Sequence, residues 1–368
     1  QRSALPAPPD VALWDCSTHL GIVVVDTHLP SLIVTALGFS PELPAEHTRP
    51  EDGGTTDAGL FRLSRGRLTA FDSHHGLTHD LIRALFVDWE GSLWIGTDGG
   101  GLNRLRPGKF APFRRSEGLS HDAVLTVMED RSGALWVGTE GRGLDQVVDG
   151  RVRRFTTADG LASDYIYALH EDTRGRLWVG TTNGICRMEA DRFQCFDTAD
   201  GLTGEHVYAI QEDHEGTLWI GTAFGANLLR DGRITSFPDE ESLSHEMIRA
   251  IHTDRNGAVW FGTEGGGLYR RYEGRMERFR AAEGLSSDFV LSLFEDAEGV
   301  LWVGTKGGLC RRRREAFQCL TTDAGLRSDK ILQILDESIV ETAEGARQVL
   351  VDEAARAAQA FEADLEED

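Results

Sequence analysis

Positive charge is scarce in this chain. Its 38 Lys and Arg face 60 Asp and Glu, a formal net charge of −22 over 368 residues. Phosphate recognition needs clustered cations, so the balance argues against nucleic acid and against insertion at an anionic membrane surface. Long apolar runs are missing too. The best stretch, Leu20 to Phe39, is broken by Asp26, His28 and Pro30 and reads as a buried segment rather than a span. No signal peptide stands at Gln1, as in a processed or trimmed product. The five cysteines lack the close pairing of a zinc site. The runs Gly99-Gly100-Gly101 and Gly265-Gly266-Gly267 read as strand turns and open no helix, which argues against a phosphate loop. No cofactor and no metal are expected.

What is present is periodic. A Leu/Val-Trp-x-Gly-Thr string recurs at Leu93–Thr97, Leu135–Thr139, Leu177–Thr181, Leu218–Thr222, Val259–Thr263 and Leu301–Thr305. Its Trp residues are spaced by 42, 42, 41, 41 and 42. A second anchor, Gly-Leu, keeps the same phase at Leu77, Leu119, Leu161, Leu202, Leu285 and Leu326, with Ser242-Leu243 in the remaining place. Each unit reads as an alternating apolar strand, an Asp-x-x-Gly turn, the Trp strand, a Gly-rich turn, a third strand, a short polar turn and a fourth. Four antiparallel strands per roughly 42 residues describe a propeller blade.

The expected fold is therefore all-β, a single propeller of about seven four-stranded blades over residues 51–336. Lys330 to Leu335 is a first strand with no successor, and it fits the gap in an incomplete first blade near Glu51 to Asp72. Closure by that strand removes exposed edges; six blades with loose ends is the alternative. A shift of one repeat lays Gly54-Thr55 under Gly96-Thr97, which puts the second strand of the incomplete blade there. Residues 1–50 share no anchor with the repeat and have no firm reading. Residues 337–368 read as an acidic, helical tail: from Asp336 onward eleven acids face only Arg347 and Arg356.

The Gly-Leu…Glu-Asp-x-x-Gly-x-Leu-Trp-Val-Gly-Thr pattern resembles the two-component regulator propeller repeat, over roughly residues 54–336. That resemblance implies the extracytoplasmic sensor of a bacterial hybrid histidine kinase or membrane-bound diguanylate cyclase, in the periplasm or outside the cell. With no kinase or cyclase segment in the sequence, it implies a sensor portion without its transmitter.

Four cysteines fall in two equivalent hairpins. Two-residue turns at Ala190-Asp191 and Arg314-Glu315 set Cys186 opposite Cys195 and Cys310 opposite Cys319, at a separation suited to disulfides. Such staples would mark an oxidising compartment; buried free thiols are the alternative. Cys16 is left unassigned. The recurring Asp130, Asp172, Asp213 and Asp296 read as turn formers and the Trp residues as blade packing, since one enzyme needs one site.

Candidate function lies where the repeat varies. One position of the first strand reads Arg83, Leu125, Tyr167, Tyr208, Arg249, Leu291, Leu332. Arg83, Tyr167, Tyr208 and Arg249 are expected to line a pocket near the axis for a small polar or anionic ligand, a carbohydrate included. His79, His121 and His245 on one loop set, and Arg142 on the other, are expected to border it. A protein partner or self-association stays open. No acid–base cluster stands out, so the expectation is a binding module. A propeller lyase or glycosidase (with His170, His252 or the Arg/Tyr set as candidates) and an interaction scaffold are the alternatives.

Overall fold

The computed structural model describes residues 32–37, 57–64, 67–106, 109–230, 232–237, 243–313, 315–324, 326 and 328–336. They form seven four-stranded antiparallel sheets. Blades 1 to 6 are each built from consecutive strands, and their first, innermost strands are Ile82–Val87, Val124–Glu129, Ile166–Glu171, Val207–Glu212, Ile248–Thr253 and Val290–Glu295. Blade 7 joins the two ends of the sequence. Its strands run in the order Lys330–Asp336, Leu32–Leu37, Asp57–Ser64 and Arg67–Phe71. Each innermost strand packs on those of both neighbours, and Lys330–Asp336 lies between those of blades 6 and 1, so the ring is closed. Among the described residues no helix is long and apolar enough to cross a membrane.

Closure agrees with expectation, but its second strand does not. That strand is Leu32–Leu37, inside the segment that shares no anchor with the repeat, and it pairs with both Lys330–Asp336 and Asp57–Ser64. A fixed shift misplaces it because residues 38–56 intervene before the third strand, and because Leu-Ile-Val-Thr-Ala-Leu carries β-propensity without Trp, Gly-Thr or the Asp turn. Gly54-Thr55, Cys16 and the acidic tail lie outside the described residues.

The Trp, Gly and Thr of the string, and the turn Asp before it, have separate tasks. The turn Asp opens each Asp-x-x-Gly turn and uses both carboxylate oxygens. In blade 5, Asp254 accepts the Ala258 amide at 2.9 Å on one oxygen and the Trp260 indole N–H at 2.8 Å on the other. The same indole bond, 2.7–2.8 Å, recurs from Trp94, Trp136, Trp178, Trp219 and Trp302. One side chain thus satisfies the turn and the one polar atom of a large, otherwise apolar ring. The Gly of the string faces the next blade: a Cβ on Gly96 would lie 2.7 Å from Val124, and one on Gly221 2.8 Å from Ile248. The Thr that follows is fully buried, with its hydroxyl donating to a carbonyl across the next turn, as Thr97 does to Gly101 at 2.8 Å.

A second repeated bond joins blades. A Glu ending one innermost strand accepts a backbone N–H from the turn of the preceding blade: Glu129 from Trp89, Glu171 from Arg131, Glu212 from Thr173 and Glu295 from Arg255, at 2.6–2.9 Å. Blade 5 has Thr253 in this place, and its buried hydroxyl has no partner among the described residues.

Both expected cross-strand pairs are disulfides, Cys186–Cys195 and Cys310–Cys319, with Cα separations of 3.9 and 4.0 Å.

Candidate functional site

The variable position of the first strand has a backbone cause. In each innermost strand the ladder skips one residue: Arg83, Leu125, Tyr167, Tyr208, Arg249, Leu291 and Leu332. The flanking residues keep their partners, as Ile82 does with Thr97 and Ala84 with Gly96. A bulge leaves its residue outside the pairing and re-aims its side chain. Seven bulges at one level therefore present seven side chains from seven blades. Two are Arg, two are Tyr and three are Leu.

The side chains meet. The Tyr167 and Tyr208 rings stand edge to face at 5.3 Å, and His206 stacks on Tyr208 at 6.1 Å. The Arg249 guanidinium lies over Tyr208, 4.7 Å from its centroid, and 3.9 Å from the Glu264 carboxylate. Glu264 takes a 2.9 Å bond from Lys306, whose ammonium sits 4.1 Å over the Phe289 ring. One contact chain thus runs through blades 3 to 6. In blade 1, Arg83 makes a forked pair with Asp98 at 2.5 and 3.1 Å. Exposed Tyr165, Phe224 and Phe289 add apolar surface at the same end of the blades.

Burial pushes the Glu264 carboxyl up, but the Lys306 hydrogen bond and the charges of Arg249, Lys306 and Lys330 outweigh it and hold it below its ordinary value. Burial raises the Tyr208 phenol, with Arg249 opposing. This end is a half-buried electrostatic network with aromatic faces along one arc. Lys306, Lys330, Glu264 and Asp98 are members that the varying position alone does not reveal. Lys330 is legible only by alignment, since it takes the place held elsewhere by Leu81, Ala123, Tyr165, His206, Met247 and Phe289.

The loop histidines have a local task. The Nδ1 atoms of His79 and His121 each accept, at 3.0 Å, the backbone N–H two residues on. Ser163, Ser287 and Ser328 do the same in other blades. His245 Nδ1 bonds the Ser244 hydroxyl at 2.9 Å. Arg142 is exposed, and its carbonyl accepts from Arg154. Among the described residues no contact ties His121, His245 or Arg142 to the bulged residues. Nor do the described residues hold a His, Cys, Asp and Glu group of three or more suited to a metal.

At the other end of the blades a groove of about 710 Å³ lies between blades 3 and 4, with His170 and Trp178 in its wall. Its five Arg and five carboxylates balance, with Arg176–Asp172 paired within blade 3 and Arg230–Glu215 within blade 4. His170 and His252 pair across strands with Trp178 and Trp260, in a place held elsewhere by Phe86, Met128, Gln211 and Phe294.

Five segments, 118–141, 160–183, 201–224, 242–265 and 284–307, match the two component regulator propeller family model. The chain carries two-component regulator propeller repeats. Each matched segment holds the loop, the bulged strand, the Asp turn and the Trp strand. Solved structures share the fold. Two are of the extracellular domain of BT4673 from B. thetaiotaomicron. One, described as a one component system, has TM-score 0.61, 20% identity and coverage of 76% of this chain and 38% of that one. The other, described as a hybrid two component system, has TM-score 0.56, 19% identity and coverage of 73% and 46%. Virginiamycin B lyase from Staphylococcus aureus has TM-score 0.53, 16% identity and coverage of 65% and 84%. At these identities the likeness is one of fold, and the chain spans less than half of either BT4673 structure. No curated protein matches by sequence.

Proposed function

We propose that the chain is an extracytoplasmic sensor propeller of a bacterial signalling protein, binding a small polar or anionic ligand at the bulged end of its axis. The observation that carries this is the division of labour within the repeat. Its recurring Asp, Trp, Gly and Thr are spent on turns, indole bonds and blade contacts, whereas the bulged position varies, and Tyr167, Tyr208 and Arg249 join there in one network. The repeat family and the fold shared with extracellular domains support a receiving rather than a transmitting part. Two disulfides support an oxidising compartment. Of the residues an enzyme could use, His170 and His252 belong to blade packing, at the opposite end from the network.

A thermal-shift screen with organic acids, amino acids, oligosaccharides and divalent metals tests this, with mass spectrometry on every hit. A ligand at 100 times its Kd stabilises by about 2.7 kcal/mol. A shift with the compound intact supports the sensor. Product formation would make the chain an enzyme, and silence across the panel would point to a protein partner.

A further inference from the structure

The network is not balanced. Four cations meet at the bulged end: Arg249 of blade 5, Lys306 of blade 6, Lys330 of blade 7 and Arg83 of blade 1. Among the described residues two carboxylates answer them. Asp98 accepts the Nε and Nη2 bonds of Arg83 on its Oδ2, and Glu264 is shared by Lys306 and Arg249. Glu140, the counterpart of Asp98 in blade 2, is exposed and forms no ion pair among the described residues. The Lys330 ammonium has no hydrogen-bond or ion-pair partner among the described residues, although the side chain is half-buried. Burial, together with Lys306, Arg83 and Arg249, pulls its pKa down, and Glu264 alone opposes them. Among the described residues two excess positive charges thus sit together, in a protein whose net charge is −22.

We propose that Lys330, delivered by the closing strand between Lys306 and Arg83, completes an oxyanion subsite at the end of the axis, and that the ligand bears a carboxylate, sulfate or phosphate group there. This rests on the axial reading above and names the ligand's chemistry. An oxyanion supplies the acceptor that Lys330 lacks and screens four like charges at once. The Tyr208 ring lies under Arg249 with Tyr167 edge-on beyond it, and these faces suit a flat or apolar body attached to that group. The subsite also couples ligand to closure, because Lys330 opens the strand that joins the two ends of the sequence.

Titration calorimetry at low salt with benzoate, inorganic sulfate and inorganic phosphate tests the subsite, with benzamide as the uncharged counterpart of benzoate. At least one oxyanion should bind the wild-type chain, and the preferred one identifies the group. Affinity should fall at least about tenfold in Lys330→Gln, stay within about threefold in Lys330→Arg, and fall about tenfold for benzamide against benzoate. Lys330→Gln should also melt no lower than wild type without ligand, because it removes a repelled charge. Unchanged oxyanion affinity in Lys330→Gln, no oxyanion binding at millimolar concentration, or a large loss of Tm would each overturn the proposal. Tyr208→Leu separates the two readings. If it weakens a ligand that Lys330→Gln leaves unaffected, the axial site stands and the subsite falls. If neither variant weakens that ligand, both fall.

Discussion

Blades 1 to 6 and blade 7 reach the same four-stranded form by different means. The first six each carry an Asp turn locked to a Trp indole and a Gly that lets the next blade approach, so the code for each blade is local. Blade 7 has neither Trp nor that turn. Its first two strands come from opposite ends of the sequence, and its core is Phe61, Leu63, Ile331 and Ile334 packed against Trp302 and Leu309 of blade 6. A blade can thus be assembled from pairing and burial alone, provided its neighbours are already built. The stability of blade 7 should accordingly depend on few residues, and that of the others on many small, repeated bonds.

The sharpest way to break this contrast is Ile331→Asp, which puts a charge at a fully buried position of the closing strand. It should cost about 4 kcal/mol or more and open the ring, seen as a lower urea midpoint and new proteolysis near both ends. Asp254→Ala leaves the Trp260 indole and two turn amides unpaired and should cost about 2–4 kcal/mol, with the ring still closed. Loss of the two disulfides should cost at most about 2–3 kcal/mol each, because each closes a loop already held by its hairpin. Thiol titration of the denatured, unreduced chain should find a single free thiol.

The smallest effect is one of pH. Burial lowers the pKa of His170, whose Nε2 has no partner among the described residues, and of His252, which Glu295 partly compensates at 3.5 Å. Folded-state values below the unfolded ones mean that the unfolded chain takes up protons first as pH falls. This stability is complete above the ordinary His range and is lost as pH drops through it. His170→Met, the residue found at Met128, should flatten the melting temperature between about pH 7 and 5. An unchanged slope would place the acid sensitivity elsewhere.

Much of this was legible in the sequence, for stated reasons. Six in-phase copies expose the blade pattern, and two-residue turns fix the register that pairs the cysteines. The indole bond is hidden because Asp254 and Trp260 lie on either side of a turn, and only the fold brings them together. Leu32–Leu37 is hidden because it shares β-propensity with the repeat and nothing else. His79 and His121 mislead because an imidazole Nδ1 can do the work of a serine hydroxyl in a turn. Lys330 is silent because the cations around it arrive from blades 1, 5 and 6.

The central claim is that the repeat's recurring residues build the ring and the bulged ones read the ligand. Three blades already carry Leu at the bulge, as Leu125, Leu291 and Leu332. The decisive measurement is the ligand-induced thermal shift of a variant with Arg83, Tyr167, Tyr208 and Arg249 all changed to Leu. The account predicts a folded chain whose ligand-free Tm stays within a few degrees of wild type, roughly 2–4 °C per kcal/mol at this size, and whose shift is abolished. A full shift in that variant, or a chain that no longer folds, would contradict it.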